Sequence, residues 1–464
     1  MKTKEQFLTA IQKESPKIET WIEKEKILPY SKDEAFDSKI LPLAVVFPKN
    51  TKTVSSILKL ATRFHIPVIP RGAGSGLSGA AVPLSESIVI SLEKMNQIIA
   101  IDPEDSVAVV EPGVITGDIR KAVEAIGLFY PPIPASVDFC TIGGNVATNA
   151  GGLCAVKYGV TREYVIGLEV VLPSGDIIET GGRYVKNSTG YNLTQLMIGS
   201  EGTLGIITRI VLKLLPLPRE RITLLVPFSE IEKVTQTVVS ILSERIVPPT
   251  LELLPRQAVS CVLSCHPELH FPFRNVEACL LIELDSRDGN SIQSELNALE
   301  KVLRQNGAGD PIVATSDSQR EEIWTVRKLV RDSVVKTGPH VEADSVVPRK
   351  NVPFLVHAAE RLSKQHNIQV ICYGHAGDGN LHTYFLKGET KDSKWETLSE
   401  KLLREFFQKT LDLGGTISGE HGIGILKKNY MSMAFSQAQI SLMRRLKQAF
   451  DPDHLLNPGK VIPS

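Results

Sequence analysis

The sequence lacks a net charge of either sign, because its 464 residues include 52 basic and 52 acidic side chains. Neutrality argues against nucleic acid, or an anionic membrane surface, as the main partner. The sequence also lacks a hydrophobic run long enough to cross a bilayer, and its opening, MKTKEQFLTAIQKESPKIE, has no apolar core of a signal peptide. These absences predict a cytoplasmic protein with no integral membrane segment, and they leave peripheral contact with a membrane open.

Cysteine is scarce and scattered. None of the six cysteines forms a CxxC pair or a ferredoxin-like run; they are Cys140, Cys154, Cys261, Cys265, Cys279 and Cys372. This pattern is typical of reduced thiols and argues against an internal iron–sulfur cluster. Electrons from any redox reaction would then leave through an acceptor protein or a quinone.

The length predicts more than one domain, because 464 residues exceed what a single hydrophobic core ordinarily supports. Before residue 218, a polar helix is predicted at 5–26, and short apolar strands then alternate with helices and glycine-rich loops. After residue 218, longer strands such as RITLLVPF and EACLLIEL alternate with amphipathic helices. This order of elements is typical of an α+β fold. We therefore predict three segments, 1–218, 219–425 and 426–464.

The stretch GHAGDGNLH, residues 374–382, contains an Asp-Gly pair between two apolar runs. Asp-Gly is a strong signal for a two-residue type I′ hairpin loop. With Asp378-Gly379 as the loop, His375 lies directly opposite His382 on the same face, with Cβ atoms about 5 Å apart. Two imidazoles at that distance could share a metal ion, or they could merely stack or cap a hydrogen bond.

Glycine clusters mark the first segment. GAGSGLSG contains the pattern GxGxxG, yet a dinucleotide fingerprint needs a helix that begins within it. Here Pro83 and the strand SIVISL follow, so we reject NAD binding through this motif. Consecutive backbone N–H groups in such a run can still form an anion-binding nest. Two further clusters, TIGGNVATNAGG and GSEGTLGIIT, follow it, and together the three favour a large cofactor that carries phosphates.

These clusters resemble the FAD-binding domain of the vanillyl-alcohol oxidase superfamily, also called the PCMH fold. With GHAGDGNLH, ISGEHGIG and NPGK, the chain is similar to the branch of glycolate oxidase FAD subunits, FAD-dependent D-lactate dehydrogenases and D-2-hydroxyglutarate dehydrogenases. The resemblance implies an α+β protein with a PCMH-type FAD-binding domain of two α/β subdomains over 1–218. It also implies a substrate (cap) domain over 219–425, with an antiparallel sheet covered by helices, and a C-terminal segment, 426–464, that returns to the FAD domain.

The resemblance also implies an FAD site, residue by residue. Its members, from the pyrophosphate loop to the flavin and the adenosine end, are Arg71, Gly72, Ala73, Gly74, Ser75, Gly76, Leu77, Ser78, Ser136, Thr141, Gly143, Gly144, Thr148, Asn149, Gly151, Glu201, Gly202, Ile207 and Asn457, with Lys460 closing the tail. Relatives with covalent FAD often attach it to a His in the first glycine loop. This loop has none, so we expect non-covalent FAD. Ile133 replaces an Asp that relatives often carry in PPIPAS, which puts the role of that Asp in question.

A metal centre is implied as well. His375, His382 and Glu420 are the implied ligands, His421 is the implied general base, and Asn380 lies in the same site. Two His and one carboxylate form a known catalytic metal set with open positions. Zinc is our first choice of metal, with manganese and iron left open. The simpler alternative for His421 is support of Glu420.

The implied reaction oxidises a 2-hydroxy acid. The metal lowers the pKa of the hydroxyl, His421 takes the proton, and a hydride moves from Cα to flavin N5. Arg327, in the predicted helix EEIWTVRKLVRDSV, matches the family arginine that grips the substrate carboxylate; otherwise it is an ordinary exposed helix arginine. Where relatives that oxidise hydroxyglutarate carry a basic residue, this chain has Glu342, which favours D-lactate or glycolate. Arg331, Arg349 and Lys350 are close in sequence and could supply the positive charge instead.

Other functions stay open at this point. The chain could be a D-2-hydroxyglutarate dehydrogenase, a non-redox transferase of the alkyl-glycerone-phosphate synthase type, or a non-catalytic FAD subunit. A homodimer and a complex with an iron–sulfur subunit are both compatible with the sequence.

Overall fold

Strand and helix positions follow the apolar pattern of the chain. The computed structural model describes residues 2–273 and 275–463. Its strands, in chain order, are β1 (Glu19–Trp21), β2 (Ala44–Phe47), β3 (Val68–Arg71), β4 (Ile88–Ser91), β5 (Ile98–Asp102), β6 (Val107–Val110), β7 (Leu128–Phe129), β8 (Val165–Val171), β9 (Ile177–Gly181), β10 (Ile206–Lys213), β11 (Leu215–Pro216), β12 (Glu220–Phe228), β13 (Thr250–Pro255), β14 (Ala278–Ser286), β15 (Ile312–Val313), β16 (His340–Val346), β17 (Gln369–His375) and β18 (Asn380–Leu386).

The α-helices alternate with these strands. They are α1 (Lys2–Glu14), α2 (Lys24–Ile27), α3 (Thr51–Phe64), α4 (Thr116–Glu124), α5 (Ile142–Thr148), α6 (Ala155–Tyr158), α7 (Leu193–Met197), α8 (Ile231–Ser243), α9 (Arg256–Cys265), α10 (Gly289–Gln305), α11 (Asp317–Lys336), α12 (Val352–His366), α13 (Asp392–Asp412), α14 (Met431–Ala434) and α15 (Gln437–Phe450). Single 3-10 turns cover Leu28–Ser31, Thr161–Glu163, Arg349–Asn351 and Lys428–Tyr430. Within the described ranges, no helix is both long and apolar enough to cross a membrane.

The chain forms two compact units that interleave in sequence. Their ranges are Met1–Gly152, Gly159–Leu217 and Glu420–Ser464 for the first unit, and Leu153–Tyr158 and Pro218–Gly419 for the second. The predicted break after residue 218 falls beside the start of the long second-unit segment. The last range of the first unit begins at Glu420, and the short range that contains α6 belongs to the second unit.

The first unit contains a small mixed sheet and a larger antiparallel sheet. The mixed sheet has the order β1-β2-β4-β3, in which β2 and β3 run parallel to β4. The antiparallel sheet has the order β5-β6-β10-β8-β9, and a short ribbon joins β7 to β11. Helices α1 and α3 pack on the mixed sheet through a buried cluster that includes Phe7, Ile57 and Ile90. The strand after the first glycine loop is β4, as predicted, with no helix between β3 and β4.

The second unit is built on one antiparallel sheet of seven strands, β15-β12-β14-β13-β17-β18-β16. Helices α9 and α11 cover one face, where Leu254, Trp324 and Tyr373 belong to a single buried cluster. On the other face, Phe385 of β18 contacts Phe406 of α13, with ring centroids 5.5 Å apart. The predicted antiparallel sheet covered by helices is confirmed, and apolar residues occupy both of its faces because both are buried.

The helix predicted over 5–26 was wrong. α1 ends at Glu14, the short strand β1 follows, and only a single turn, α2, covers part of the remaining range. Pro16 is the reason, because a proline disfavours helical backbone at the residue before it and cannot donate a helical hydrogen bond.

The predicted two-residue hairpin loop was also wrong. β17 ends at His375 and β18 begins at Asn380, so a four-residue turn joins them. The N–H of Gly379 donates back to the carbonyl of His375 at 3.0 Å, and the N–H of Gly377 donates to the carbonyl of Leu251 at 3.2 Å. Bonds to the neighbouring strand β13 thus stabilise a longer turn than the local sequence indicates.

The longer turn shifts the register of the hairpin. His375 pairs with Asn380, and His382 pairs with Tyr373. The shift is two residues, and side chains alternate faces with a period of two, so both histidines still point to one face. The direct His375–His382 pair of the prediction becomes a diagonal one.

Candidate functional site

The three glycine clusters meet within the first unit. A Cβ at Gly72 would lie 2.2 Å from Oγ1 of Thr141, closer than two such atoms can approach. The N–H of Gly199 donates to the carbonyl of Val146 at 3.0 Å, which joins the second cluster to the third. Missing side chains therefore let three loops from distant parts of the sequence come together, which supports one shared site.

Buried polar atoms in these loops fit a ligand that carries phosphates. Nε of Arg71, Oγ of Ser78 and Oγ1 of Thr141 are buried and have no hydrogen-bond partner among residues 2–273 and 275–463. Arg71 is held by its other atoms, since Nη1 donates to the carbonyl of Ala81 at 3.1 Å. Buried donors without acceptors are costly, and the pyrophosphate of FAD would supply acceptor oxygens. The residues present therefore fit FAD.

The other predicted FAD residues belong to the same unit. They lie in the loop after β3 (Ala73–Leu77), before α5 (Ser136), within α5 (Gly143, Gly144, Thr148), after α5 (Asn149, Gly151), and before or within β10 (Glu201, Gly202, Ile207). Asn149 ends α5 with left-handed backbone, and its side chain accepts a hydrogen bond from the N–H of Arg162.

The C-terminal tail closes on these loops. Nδ2 of Asn457 donates to the carbonyls of Ala80 and Glu201, at 3.0 and 2.7 Å. Nζ of Lys460 donates to the carbonyl of Val82 at 2.6 Å, and burial lowers the pKa of Lys460 to about 8. The tail therefore fixes the loop after the first glycine cluster through backbone carbonyls.

In the second unit, one face of the sheet carries a row of buried polar side chains. Glu252 pairs with His375, His375 pairs with Asn380, and Asp344 pairs with His382, which puts all five on one face. Glu252 and Asp344 have no exposed surface, and the other three are also buried. The ring centroids of the two histidines lie 5.3 Å apart, with the rings at 85°.

Glu252 joins one of these histidines to Arg327. Its Oε1 lies 2.5 Å from Nδ1 of His375, and its Oε2 accepts from Nε of Arg327 at 2.6 Å. The guanidinium also lies over the ring of Tyr373, 4.9 Å from the centroid. Burial raises the pKa of the Glu252 carboxyl, but the charges of Arg327 and His375 outweigh it, so the pKa lies below its usual value.

Arg327 is therefore not an ordinary exposed helix arginine. It is 5% exposed and forms a buried ion pair. Its predicted contact with a substrate carboxylate stays a prediction.

Asp344 connects three segments of the second unit. Its Oδ1 accepts from Nδ2 of Asn380 at 2.8 Å and lies 3.6 Å from Nδ1 of His382. Its Oδ2 accepts from the N–H of Gly419 at 2.8 Å and from the hydroxyl of Ser418 at 3.1 Å. One buried carboxylate thus orients two of the predicted site residues and fixes the end of the unit's last segment.

Glu420 and His421 follow Gly419 directly in the chain and open the last segment of the first unit. Nε2 of His421 lies 3.8 Å from Oε1 of Glu420. A Cβ at Gly151 would lie 2.7 Å from Oε2 of Glu420, so this carboxylate lies against a glycine of the second glycine cluster. Within its unit, Glu420 is thus a neighbour of the loops that fit FAD.

The histidine pair fits a divalent metal. Nδ1 of His375 faces Glu252, so Nε2 is the atom that His375 would offer to an ion. A carboxylate behind the ring is the usual outer partner of a metal-bound imidazole, because it fixes the tautomer and raises ligand basicity. Asp344 stands behind His382 in the same way but at a longer distance, with its Oδ1 3.6 Å from Nδ1 of His382. Imidazole nitrogens are ordinary ligands of divalent cations such as zinc.

Sequence reasoning missed Glu252 and Asp344. Both are carboxylates inside strands that are otherwise largely apolar, in TLELLP and VEADSV. A carboxylate is almost never fully buried without a partner, so an acidic residue in a buried strand is a signal of a polar site.

Comparison with known proteins shows the family to which the chain belongs. Residues 217–461 match the family described as FAD linked oxidases, C-terminal domain, and residues 42–181 match the family described as FAD binding domain. Glycolate oxidase subunit GlcD of Bacillus subtilis (strain 168) is 40% identical over 435 residues, which cover 94% of this chain and 92% of that protein. D-lactate dehydrogenase of Anaerostipes hadrus is 36% identical, over 93% of this chain and 92% of that protein.

Solved structures share the fold. The structure of 4-ethylphenol oxidase from Gulosibacter chungangensis, with isoeugenol, matches with a TM-score of 0.81 at 18% identity. The match covers 100% of this chain and 98% of that chain. At this identity the likeness bears on the fold alone.

Proposed function

The chain belongs to the FAD-linked oxidases of the PCMH-type FAD-binding superfamily, and from this premise we propose that it oxidises a D-2-hydroxy acid to the 2-oxo acid. The proposed acid is a monocarboxylate, D-lactate or glycolate. FAD is the proposed non-covalent cofactor, and a divalent metal, zinc in the first instance, is the proposed second one.

One observation carries the proposal: two buried histidines share a sheet face, and a buried carboxylate stands behind each. His375 and His382 would hold the ion, with Glu420 as third ligand, one residue beyond the Gly419 N–H that Asp344 binds. When bound, the ion supplies polarisation of the substrate hydroxyl, and FAD supplies a hydride acceptor.

The chain's own residues supply the proton chemistry and the binding. A ring nitrogen of His421 takes the hydroxyl proton as the Cα hydrogen leaves with its electron pair and the C–O bond becomes double. Arg327 would attract the substrate carboxylate with its guanidinium, which Glu252 orients. Asn380 would line the site, with its amide held by Asp344.

The proposed preference for a monocarboxylate has support from Glu342. This residue lies on β16 two positions before Asp344, so both side chains are on the sheet face that carries His382. A negative charge there disfavours the second carboxylate of hydroxyglutarate, because like charges that are brought together repel each other.

We further propose that the electrons leave to a partner protein or a quinone, because the cysteines, all of which are free, are scattered along the chain. The partner is either an iron–sulfur subunit in a complex with this chain, or a separate acceptor that takes electrons from a homodimer of this chain. A cytoplasmic location, with peripheral contact to a membrane through that partner, belongs to the same proposal.

Steady-state turnover tests the proposed function. Purified protein, loaded with FAD and Zn²⁺, is expected to oxidise D-lactate or glycolate with dichlorophenolindophenol as the artificial electron acceptor. L-lactate is expected not to be oxidised. EDTA is expected to abolish turnover, and Zn²⁺ or Mn²⁺ to restore it.

The variant His382→Asn is expected to lose bound metal, measured per chain. The control His357→Asn, a histidine paired with Glu232 in the same unit, is expected to retain it.

Three outcomes would contradict parts of this proposal. Turnover that survives chelation would remove the metal. A strong preference for D-2-hydroxyglutarate would make that acid the substrate. Oxidation of none of these acids would favour the non-redox transferase or the non-catalytic subunit.

A further inference from the structure

Glu201 has an unusual backbone for a residue other than glycine. Its φ is +50°, in the left-handed region, and only 6% of the residue is exposed. Such a conformation is uncommon for side chains with a Cβ and persists only where the surroundings demand it. The family resemblance implies that Glu201 contacts the ribose or adenine of FAD. The position of its carboxylate indicates a different role.

Both carboxylate oxygens of Glu201 are occupied by backbone donors. Oε1 accepts from the N–H of Ile423 at 2.7 Å, and Oε2 accepts from the N–H of Gly424 at 2.8 Å. These two residues stand two and three positions after His421. Charge-assisted hydrogen bonds of this length are among the stronger ones in proteins.

The segment after His421 is shaped to receive this carboxylate. A Cβ at Gly422 would lie 2.9 Å from Oε1 of Glu201, and φ of Gly422 is +79°, so only glycine fits there without strain. The N–H of Ile425 donates to the carbonyl of Ser78 at 2.8 Å, which holds the next residue of the segment on the first glycine cluster.

The backbone of Glu201 is fixed on two sides. Its N–H donates to the carbonyl of Ala147, within the second glycine cluster, at 2.8 Å. Its carbonyl accepts from Nδ2 of Asn457 at 2.7 Å. A residue held this firmly can in turn hold a loop, and all of these residues belong to one compact unit.

We infer that Glu201 is a positioning residue: it clamps the backbone of residues 422–424 and thereby fixes His421 relative to the loops that fit FAD. The inference rests on the proposed function, in which His421 is the base. In place of a contact with the cofactor, Glu201 links the cofactor loops to the base through protein atoms alone.

Hydrogen exchange, FAD content and kinetics together test this role. In Glu201→Gln, an amide NH₂ replaces one acceptor, so amide exchange in 422–424 is expected to accelerate roughly tenfold or more. FAD per chain is expected to be unchanged. kcat is expected to fall about 10–100-fold with little change in KM, because the base is displaced while substrate binding is not.

Two further variants sharpen the test. Gly422→Ala pushes the loop away from the carboxylate without changing Glu201, and the same exchange and kcat signature is expected; it also serves if Glu201→Gln fails to fold. Glu163→Gln is the matched control, since Glu163 likewise accepts a backbone N–H, that of Val160 at 2.8 Å, elsewhere in the unit. Its kcat and its exchange in 422–424 are expected to match wild type.

Loss of FAD from Glu201→Gln with unchanged exchange in 422–424 would show that Glu201 is a cofactor contact and would overturn the inference. Faster exchange with unchanged kcat would overturn the positioning role. If wild type oxidises none of the acids, the proposed function fails. Exchange and FAD content would still decide whether Glu201 clamps the loop or binds the cofactor.

Discussion

Replacing His421 by Ala is expected to lower the rate constant of flavin reduction by a 2-hydroxy acid by roughly 10²–10⁴-fold, the range that a positioned general base contributes. The physical reason is that no other side chain of the ISGEHGIG turn is proposed to accept the hydroxyl proton, since its carboxylate, Glu420, is the proposed third metal ligand. Stopped-flow measurement of flavin reduction gives this rate directly. FAD content and bound metal, measured on the same sample, are expected to equal those of wild type.

His270→Ala is the matched control for this experiment. His270 is an exposed histidine of the second unit, so its loss is expected to leave kcat within the error of wild type. If His421→Ala instead lost its metal and recovered the wild-type rate once the metal was restored, His421 would be a support for Glu420 and not the base.

Replacing Glu252 by Gln is expected to destabilise the protein by about 3–5 kcal/mol, because the buried charge of Arg327 loses its compensating carboxylate. It is also expected to weaken metal binding about 10–100-fold, because His375 loses the acceptor that fixes its tautomer. Urea unfolding measures the first effect, and competition with a chelator measures the second.

A double variant separates charge from packing at this site. Glu252→Gln combined with Arg327→Met removes both charges, and much of the lost stability is expected to return. Glu277→Gln is the control, because its partner Arg256 is half exposed and such surface pairs contribute about 0–1 kcal/mol. A loss at Glu252 no larger than the loss at Glu277 would contradict the account of a buried, charge-compensated centre.

Much of the fold was predictable because apolar periodicity is a local signal. The predicted strand SIVISL, for example, contains β4, which begins and ends within one residue of the prediction. The rejection of a dinucleotide fingerprint also rested on local sequence, and the structure confirms that no helix lies between β3 and β4. The FAD-linked family and the mixed fold follow from motifs that can be recognised in order along the chain.

The details of the site were less predictable because they depend on contacts between distant residues. The observed hairpin register differs from the predicted one because the N–H of Gly377 donates a hydrogen bond to the carbonyl of Leu251, which is far away in the sequence. Glu252 lies 75 residues from the Arg327 that it binds, so neither residue reveals the ion pair by its own neighbourhood. The sequence pointed to candidate histidines, whereas the carboxylates that face them, Glu252 and Asp344, came to attention only through their buried contacts.

An anaerobic visible spectrum of the FAD- and metal-loaded protein, before and after one equivalent of D-lactate or glycolate, tests the central claim most directly. The account predicts bleaching of the oxidised flavin band with one equivalent of 2-oxo acid formed, and no bleaching after chelation. An oxidised band that none of the 2-hydroxy acids bleaches, in protein that retains both FAD and metal, would contradict it.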